Sequence, residues 1–338
     1  MRALIVGLGS IGQRHLANLR QIEPDAWITI WHQHTQQEAT PDVPLGADAV
    51  VYSLDEALAE SPQIAIIASP APLHVDAALA LGDRGIHLFV EKPLSHSLEG
   101  IDALIDLCHA RSVALMVGYH LRFCRSLQIA RDALREGRIG RVVSLRAEVG
   151  QYLPEWRPES DYRHGVSARQ DLGGGVLLEL SHELDYVRWL AGDVRSVQAQ
   201  VGHLSDLDVD VEDVAELLLR FSSGAVGSVH LDMVQRPMSR CCKVIGTAGS
   251  LTWDGTTHTV RVFSTRDVEW TDVHASAAVD RNAAFISELQ HFLDCVRTGA
   301  APLVGGEDGR LALELALAAK SASASGRAVH IRRQTDVT

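Results

Sequence analysis

Positive charge is in deficit: 31 lysines and arginines face 43 aspartates and glutamates, and the formal net charge is -12 at pH 7. A chain of that sign repels phosphodiester backbones and anionic headgroups, so neither nucleic acid nor a membrane is expected as a partner. Cysteine is scarce too. The five thiols, Cys108, Cys124, Cys241, Cys242 and Cys295, are odd in number and scattered, with no Cys-x-x-Cys pair and no His-x-x-x-His. Neither a disulfide framework nor a metal site is expected from them. No apolar run reaches the length of a membrane span, and the first residues enter a strand without a signal-peptide layout, so a cytoplasmic location is expected.

The chain's 338 residues leave room for two domains with ordinary cores. Over the first 120 residues, short apolar runs (Arg2-Val6, Trp27-Trp31, Ala49-Tyr52, Ile64-Ala68, His87-Val90, Ala114-Val117) alternate with stretches of helical spacing (Gln13-Gln21, Leu54-Glu60, His74-Arg84, Leu98-Ala110). That alternation predicts a parallel sheet covered on both faces. From about residue 140 the runs lengthen and become alternating or β-branched: Val142-Tyr152, Val197-Leu204, Val211-Phe221, Ala225-Met233, Cys242-Ile245. They predict a large, open, mostly antiparallel sheet, one face able to carry a pocket and the other able to meet a partner. Two late helices, Ala283-Arg297 and Glu307-Ser321, and a strand at Ala328-Ile331 complete the reading. The fold class is therefore α/β, with a Rossmann parallel sheet in residues 1–120 and a substrate-binding and oligomerisation domain in 121–338, whose last helices can pack back on the first.

Chemistry enters at Gly7, Gly9 and Gly12, which follow Leu4-Ile5-Val6 directly. The first glycine permits a tight strand-to-helix turn, the second lets backbone reach a pyrophosphate, and the third lets helix and strand pack closely. Ser10 and Ile11 then lie in the first helical turn, whose amides face the phosphate charge. Twenty residues on, where an NAD-binding strand usually ends in an acid, the sequence reads Trp31-His32-Gln33-His34-Thr35. With no acid present, His32 and Gln33 can hydrogen-bond a 2′-phosphate, so of NAD and NADP the second is favoured.

Two further strand tips carry polar or proline residues, Ser69-Pro70-Ala71-Pro72-Leu73-His74 and Glu91-Lys92-Pro93. In an open parallel sheet such tips lie where ligands bind. Together with Gly118-Tyr119-His120-Leu121-Arg122-Phe123 and the segment from Gly173 to Asp185, these motifs in this order resemble the Gfo/Idh/MocA oxidoreductases, and the resemblance covers nearly the whole chain. It implies hydride transfer between a nicotinamide and a secondary alcohol or ketone of a sugar, sugar acid or nucleotide sugar. It also implies Lys92 as the lysine contacting cofactor and substrate, Glu91 as its neighbour, Pro93 as a proline that is often cis, and Tyr119, His120 and Arg122 as site-lining residues. Ser69, Pro70 and His74 fall with the cofactor. His182 matches the general base, since an imidazole titrating near neutrality can accept the hydroxyl proton as hydride leaves carbon.

Family members usually carry an aspartate four residues before that histidine. Here Glu179 stands three before it, and one residue rotates a helical side chain by about 100°. On one helix opening after Gly173-Gly174-Gly175, residues Glu179, His182 and Asp185 (or Tyr186) would share a ridge, with Val176, Leu180, Leu184 and Val187 as the apolar face. Glu179 and Asp185 are accordingly expected beside the base, where a carboxylate would raise its basicity. Upstream, Tyr152, Trp156, Arg157, Tyr162 and Arg163, with Arg169 nearby, supply aromatic faces and arginine forks for a hydroxyl-rich or anionic sugar. His15, His74, His87 and His230 are expected to be structural or cofactor-adjacent. A homodimer or homotetramer joined through the open sheet is expected. Two other readings fit the same motifs: a glycosidase that retains NAD and oxidises its sugar transiently, and a non-catalytic dinucleotide sensor.

Overall fold

The computed structural model describes residues 1–33, 43–266, 268–275 and 280–331. It forms two compact units, one of residues 1–120 with 282–310, the other of residues 121–281 with the segment from 311 onward.

In the first unit, β1 (Arg2–Val6), β2 (Trp27–Trp31), β3 (Ala49–Val51), β4 (Ile64–Ile67), β5 (His87–Glu91) and β6 (Leu115–Gly118) form a six-stranded parallel sheet in the order β3-β2-β1-β4-β5-β6. Ala3 to Val6 and Ile64 to Ile67 are buried throughout, as strands covered on both faces must be. The helices are α1 (Ser10–Ile22), α2 (Leu54–Ala59), α3 (His74–Gly82) and α4 (Ile101–Arg111). A capping box starts α2: Ser53 Oγ accepts from the Glu56 amide while Glu56 Oε2 accepts from the Ser53 amide. The start of α4 lies three residues later than periodicity suggests, because Gly100 takes a left-handed φ of 75° that stops the helix extending back to Leu98.

The second unit opens with α5 (Arg125–Arg135) and holds α6 (Val176–Glu179) and α7 (His182–Ala191). Its strands are β7 (Val142–Gly150), β8 (Val194–Gly202), β9 (Val214–Phe221), β10 (Val226–Asp232), β11 (Ser239–Gly246), β12 (Gly249–Asp254), β13 (Thr259–Ser264) and β14 (Glu269–His274). With the late strand β15 (Val329–His330) they make a nine-stranded sheet, order β14-β13-β12-β11-β7-β10-β9-β8-β15. Every pairing is antiparallel except β7 with β10. Alternation divides its faces: Ala215, Leu217, Leu219 and Phe221 of β9 are buried, while Glu216, Leu218 and Arg220 are exposed. Two long helices close the chain, α8 (Ala283–Thr298) and α9 (Gly306–Ser325). Helix α8 belongs to the first unit, where Phe292 meets Phe89 edge-on and Asn282 exchanges amide hydrogen bonds with Asn18 of α1.

On the exposed face of the second sheet, His230 sits between Asp232 (3.0 Å) and Glu216 (2.7 Å). Hydrogen bonding to Asp232 first, then to Glu216, outweighs partial burial and raises its pKa to about 9. A folded pKa above the unfolded value of about 6.5 stabilises fully below that value, and the contribution fades as pH rises toward 9. In urea titrations, His230→Gln should therefore cost stability at pH 6 and progressively less between pH 6.5 and 9; a pH-independent difference would refute the pairing.

Candidate functional site

The first constellation grows from the turn between β1 and α1. Gly7 holds φ +86°, and a methyl group on it would lie 2.9 Å from the Ser69 backbone; one on Gly12 would lie 2.2 Å from the Gly7 carbonyl oxygen. Strand, turn and helix thus approach more closely than any side chain allows. Gly9 differs, being exposed with nothing within 4 Å of a would-be Cβ. It caps α1 with no side-chain hydrogen bond and no acid in the first turn, while the first intrahelical bond is Gln13 N to Gly9 O at 2.9 Å. The amides of Ser10, Ile11 and Gly12 are left for an outside acceptor. Across the turn, Ser69 Oγ is buried without a hydrogen-bond partner among the described residues. An open helix N-terminus, and a buried unpartnered hydroxyl on the residue whose backbone packs against Gly7, fit a dinucleotide pyrophosphate.

At the neighbouring tips, Glu91 ends β5 with one carboxylate oxygen 2.6 Å from His15 Nε2 and the other accepting from the Lys92 amide at 3.1 Å. Gly118 leaves room for it, since a methyl there would touch the carboxylate at 3.1 Å. The carboxylate therefore ties α1 to the tip that carries Lys92, whose peptide bond to Pro93 is cis. His74 does the same for two loops. Its Nε2 lies 2.7 Å from Ser69 O and its Nδ1 3.0 Å from Pro93 O, so its ring bridges both tips. Complete burial lowers its pKa from the ordinary value, against the pull of those carbonyls. Pro70 caps a short 3-10 turn, Ala71–Leu73. Tyr119 is fully buried, and the His120 ring stacks on Phe285 of α8 at 4.0 Å, with Arg14 over the same phenyl ring. At the end of β2, the His32 amide donates to Val51 O, and Gln33 Oε1 is buried and meets no donor among the described residues. His34 and Thr35 lie outside the described residues.

The second unit holds the other constellation. Gly173 and Gly175 take φ of +78° and +107°, and a methyl on Gly174 would lie 2.2 Å from Val166 O. The expected continuous helix is interrupted here: α6 ends at Glu179, Leu180 and Ser181 turn the chain, and α7 begins at His182. Glu179 and His182 thus share no helical ridge, and Glu179 accepts a hydrogen bond from Ser167 Oγ at 2.7 Å. Asp185 is also reassigned. It is fully buried and takes a two-pronged hydrogen bond from Arg122, Nε to Oδ2 at 2.8 Å and Nη2 to Oδ1 at 2.5 Å. The expected substrate arginine and the expected catalytic aspartate bind each other. Beside them, Glu183, equally buried, meets Arg240 Nε of β11 at 2.9 Å, a pair that sequence reading missed because its members are 57 positions apart.

The arginine-rich loop makes its own contacts. Arg163 grips Asp161 through Nε and Nη2, depressing that carboxyl to about 2, and Arg169 grips Asp171 in the same way. Tyr162 Oη accepts from the Asp208 amide, Trp156 Nε1 donates to Gln151 O, and the Tyr152 ring lies under Arg236. Of the three arginines expected to grip an anion, Arg157 alone has no ion pair among the described residues.

A strand-turn-helix glycine loop with these tips defines a dinucleotide-binding oxidoreductase. Residues 1–119 match the oxidoreductase family with an NAD-binding Rossmann fold, and residues 127–252 match the GFO/IDH/MocA C-terminal domain. The chain belongs to the Gfo/Idh/MocA family. Among curated relatives, it is 29% identical to a myo-inositol 2-dehydrogenase of Thermotoga maritima, covering 98% of each chain, and 28% identical to a scyllo-inositol 2-dehydrogenase (NAD(+)) of Bacillus subtilis, covering 98% and 96%. In fold it is similar to a levoglucosan dehydrogenase solved with NADH, at a TM-score of 0.87, 21% identity and coverage of 98% and 99%. No helix among the described residues is long and apolar enough to cross a membrane.

Gly12→Ala forces the turn open, and should cost about 1–3 kcal/mol of stability along with dinucleotide binding. Gly9→Ala meets nothing, so it should leave the melting temperature unchanged and weaken NADH binding about tenfold or more in fluorescence titration. Unchanged NADH affinity in Gly9→Ala would remove the pyrophosphate from this turn.

Proposed function

We propose that the chain is a nicotinamide-dependent dehydrogenase of a cyclic sugar or polyol, with Lys92 and His182 as its working side chains. The observation that carries this reading is the open N-terminus of α1 set against the orphaned Ser69 hydroxyl, in a chain that also bears Lys92 on the β5 tip and His182 at the head of α7. Bound dinucleotide supplies the hydride acceptor. His182 would take the hydroxyl proton as the carbon is oxidised, and the Lys92 ammonium would stabilise developing negative charge. Inositols and levoglucosan, named for relatives and for a protein of similar fold, are the first substrates to try. His32 and Gln33 offer hydrogen-bonding groups where an acid would repel a 2′-phosphate, which favours NADP; tighter binding of NADH than NADPH would overturn that preference.

With myo-inositol, scyllo-inositol and levoglucosan as a panel, followed by absorbance at the reduced nicotinamide band, wild type should turn over at least one sugar. Lys92→Met and His182→Ala should each lower kcat about 100-fold or more, with the melting temperature held. Release of an aglycone from a glycoside without net cofactor change would favour the NAD-retaining glycosidase, and dinucleotide binding with no turnover would favour a sensor.

We also propose that two copies associate through the open face of the nine-stranded sheet. Leu218, Val226 and Ile245 are exposed there, and β7, the middle strand, presents Arg146 and Glu148 two residues apart on that face. Arg146 has no ion-pair partner among the described residues. A two-fold axis crossing β7 between them would set each Arg146 against the other copy's Glu148, whereas an axis along the strand would oppose like charges. Arg146→Glu and Glu148→Arg should each shift the protein toward monomer in light scattering, and the double swap should restore the oligomer; an unmoved mass in both single variants would place the interface elsewhere.

A further inference from the structure

We infer that the two buried ion pairs on α7, Arg122 with Asp185 and Arg240 with Glu183, are positioning devices for the His182 ring. The inference rests on the proposed role of His182 as base, and it starts from an energetic oddity. Burying an ion pair stabilises a fold little or not at all compared with apolar residues of similar volume. Yet a helix of ten residues carries two, both acids fully buried, with Arg122 4% and Arg240 14% exposed. Stability gives no reason for that. Geometry does.

At about 100° per residue, Glu183 projects about 100° to one side of the His182 direction and Asp185 about 60° to the other. The two acids therefore flank the imidazole in projection down the axis. Arg122 reaches Asp185 from the 3-10 turn His120–Phe123, and Arg240 reaches Glu183 from β11. Being planar and two-pronged, the Arg122 fork fixes direction as well as distance. Rotation of α7 about its axis, in either sense, must stretch one pair. The break at Leu180 and Ser181 makes this restraint necessary: α7 starts at the very residue that must be aimed, separated by two turn residues from the four-residue α6, and the Ser181 hydroxyl supplies no cap. A helix surface radius of about 5 Å turns a rotation of about 10–20° into a displacement of about 1–2 Å at the ring, enough to cost about 100-fold in a proton transfer.

Removing one member alone would strand a buried charge and endanger the fold, so the test replaces whole pairs. The double variant Arg122→Met with Asp185→Leu is compared with His182→Ala and with the conservative Arg122→Lys, using the panel polyol that wild type turns over fastest. The double variant should keep or raise its melting temperature, bind NADH as before and hold the polyol KM within about threefold. Its kcat should fall about 30-fold or more, and the His182 ring nitrogens should broaden in long-range proton–nitrogen NMR as the ring samples several orientations. Arg122→Lys, keeping charge and losing the fork, should fall about fivefold or more without melting earlier. If the double variant does not fold, Arg122→Lys decides alone. A kcat within threefold of wild type in the folded double variant, or in Arg122→Lys, while His182→Ala loses its activity, overturns the positioning role and leaves the base intact. Retained activity in His182→Ala overturns the base itself, and the positioning role with it.

Discussion

The first unit's chemistry depends on one steric constraint: the backbone turn between β1 and α1 packs so tightly against the tip after β4 that only glycine fits at positions 7 and 12. Closeness has an electrostatic consequence. It leaves the first amides of α1 with no acceptor among the described residues and concentrates the helix's positive end where an anion can reach it. It also brings α1 near enough to β5 for His15 to meet Glu91, whose other oxygen holds the Lys92 amide. The buried ring of His74 lies between the Ser69 and Pro93 carbonyls, within 3.0 Å of each. A turn with the shape and charge for a phosphate and a tip that presents a lysine are thereby built as one assembly.

The second unit reaches order by a different route. Its helix α7 is short, begins at a break and carries the histidine at its first position. Two arginines from different elements grip that helix through buried carboxylates, while Glu179 is occupied by Ser167 and the loop arginines by their own aspartates. Charge that looked available for a ligand is largely neutralised within the protein.

Much of this was legible in sequence. Buried parallel strands announce themselves as continuous apolar runs, and the glycine spacing of a pyrophosphate turn is steric, so β1 through β6 and the turn at Gly7 to Gly12 could be drawn from residues alone. Alternation likewise marked β7 through β11. Strands β12 to β14 escaped: in Gly249–Asp254 only Leu251 and Trp253 are buried, and Glu269–His274 is exposed over its first four residues, so neither carries a long apolar run. Helix α5 escaped too, although Arg125–Arg135 is amphipathic. The roles of Arg122 and Asp185 could not be read, because residue type states what a side chain can bind and only the fold states what it meets. The same holds for His15 and Glu91, 76 positions apart.

Isotope transfer tests the central claim most directly. Incubating the protein with oxidised dinucleotide and a panel polyol deuterated at its ring carbons, then reading the reduced nicotinamide by proton NMR, should reveal deuterium at C4 on a single face. Polyol and dinucleotide both bound, with no label arriving at C4 under any condition of pH, would contradict hydride transfer and reduce the protein to a binder of nucleotides.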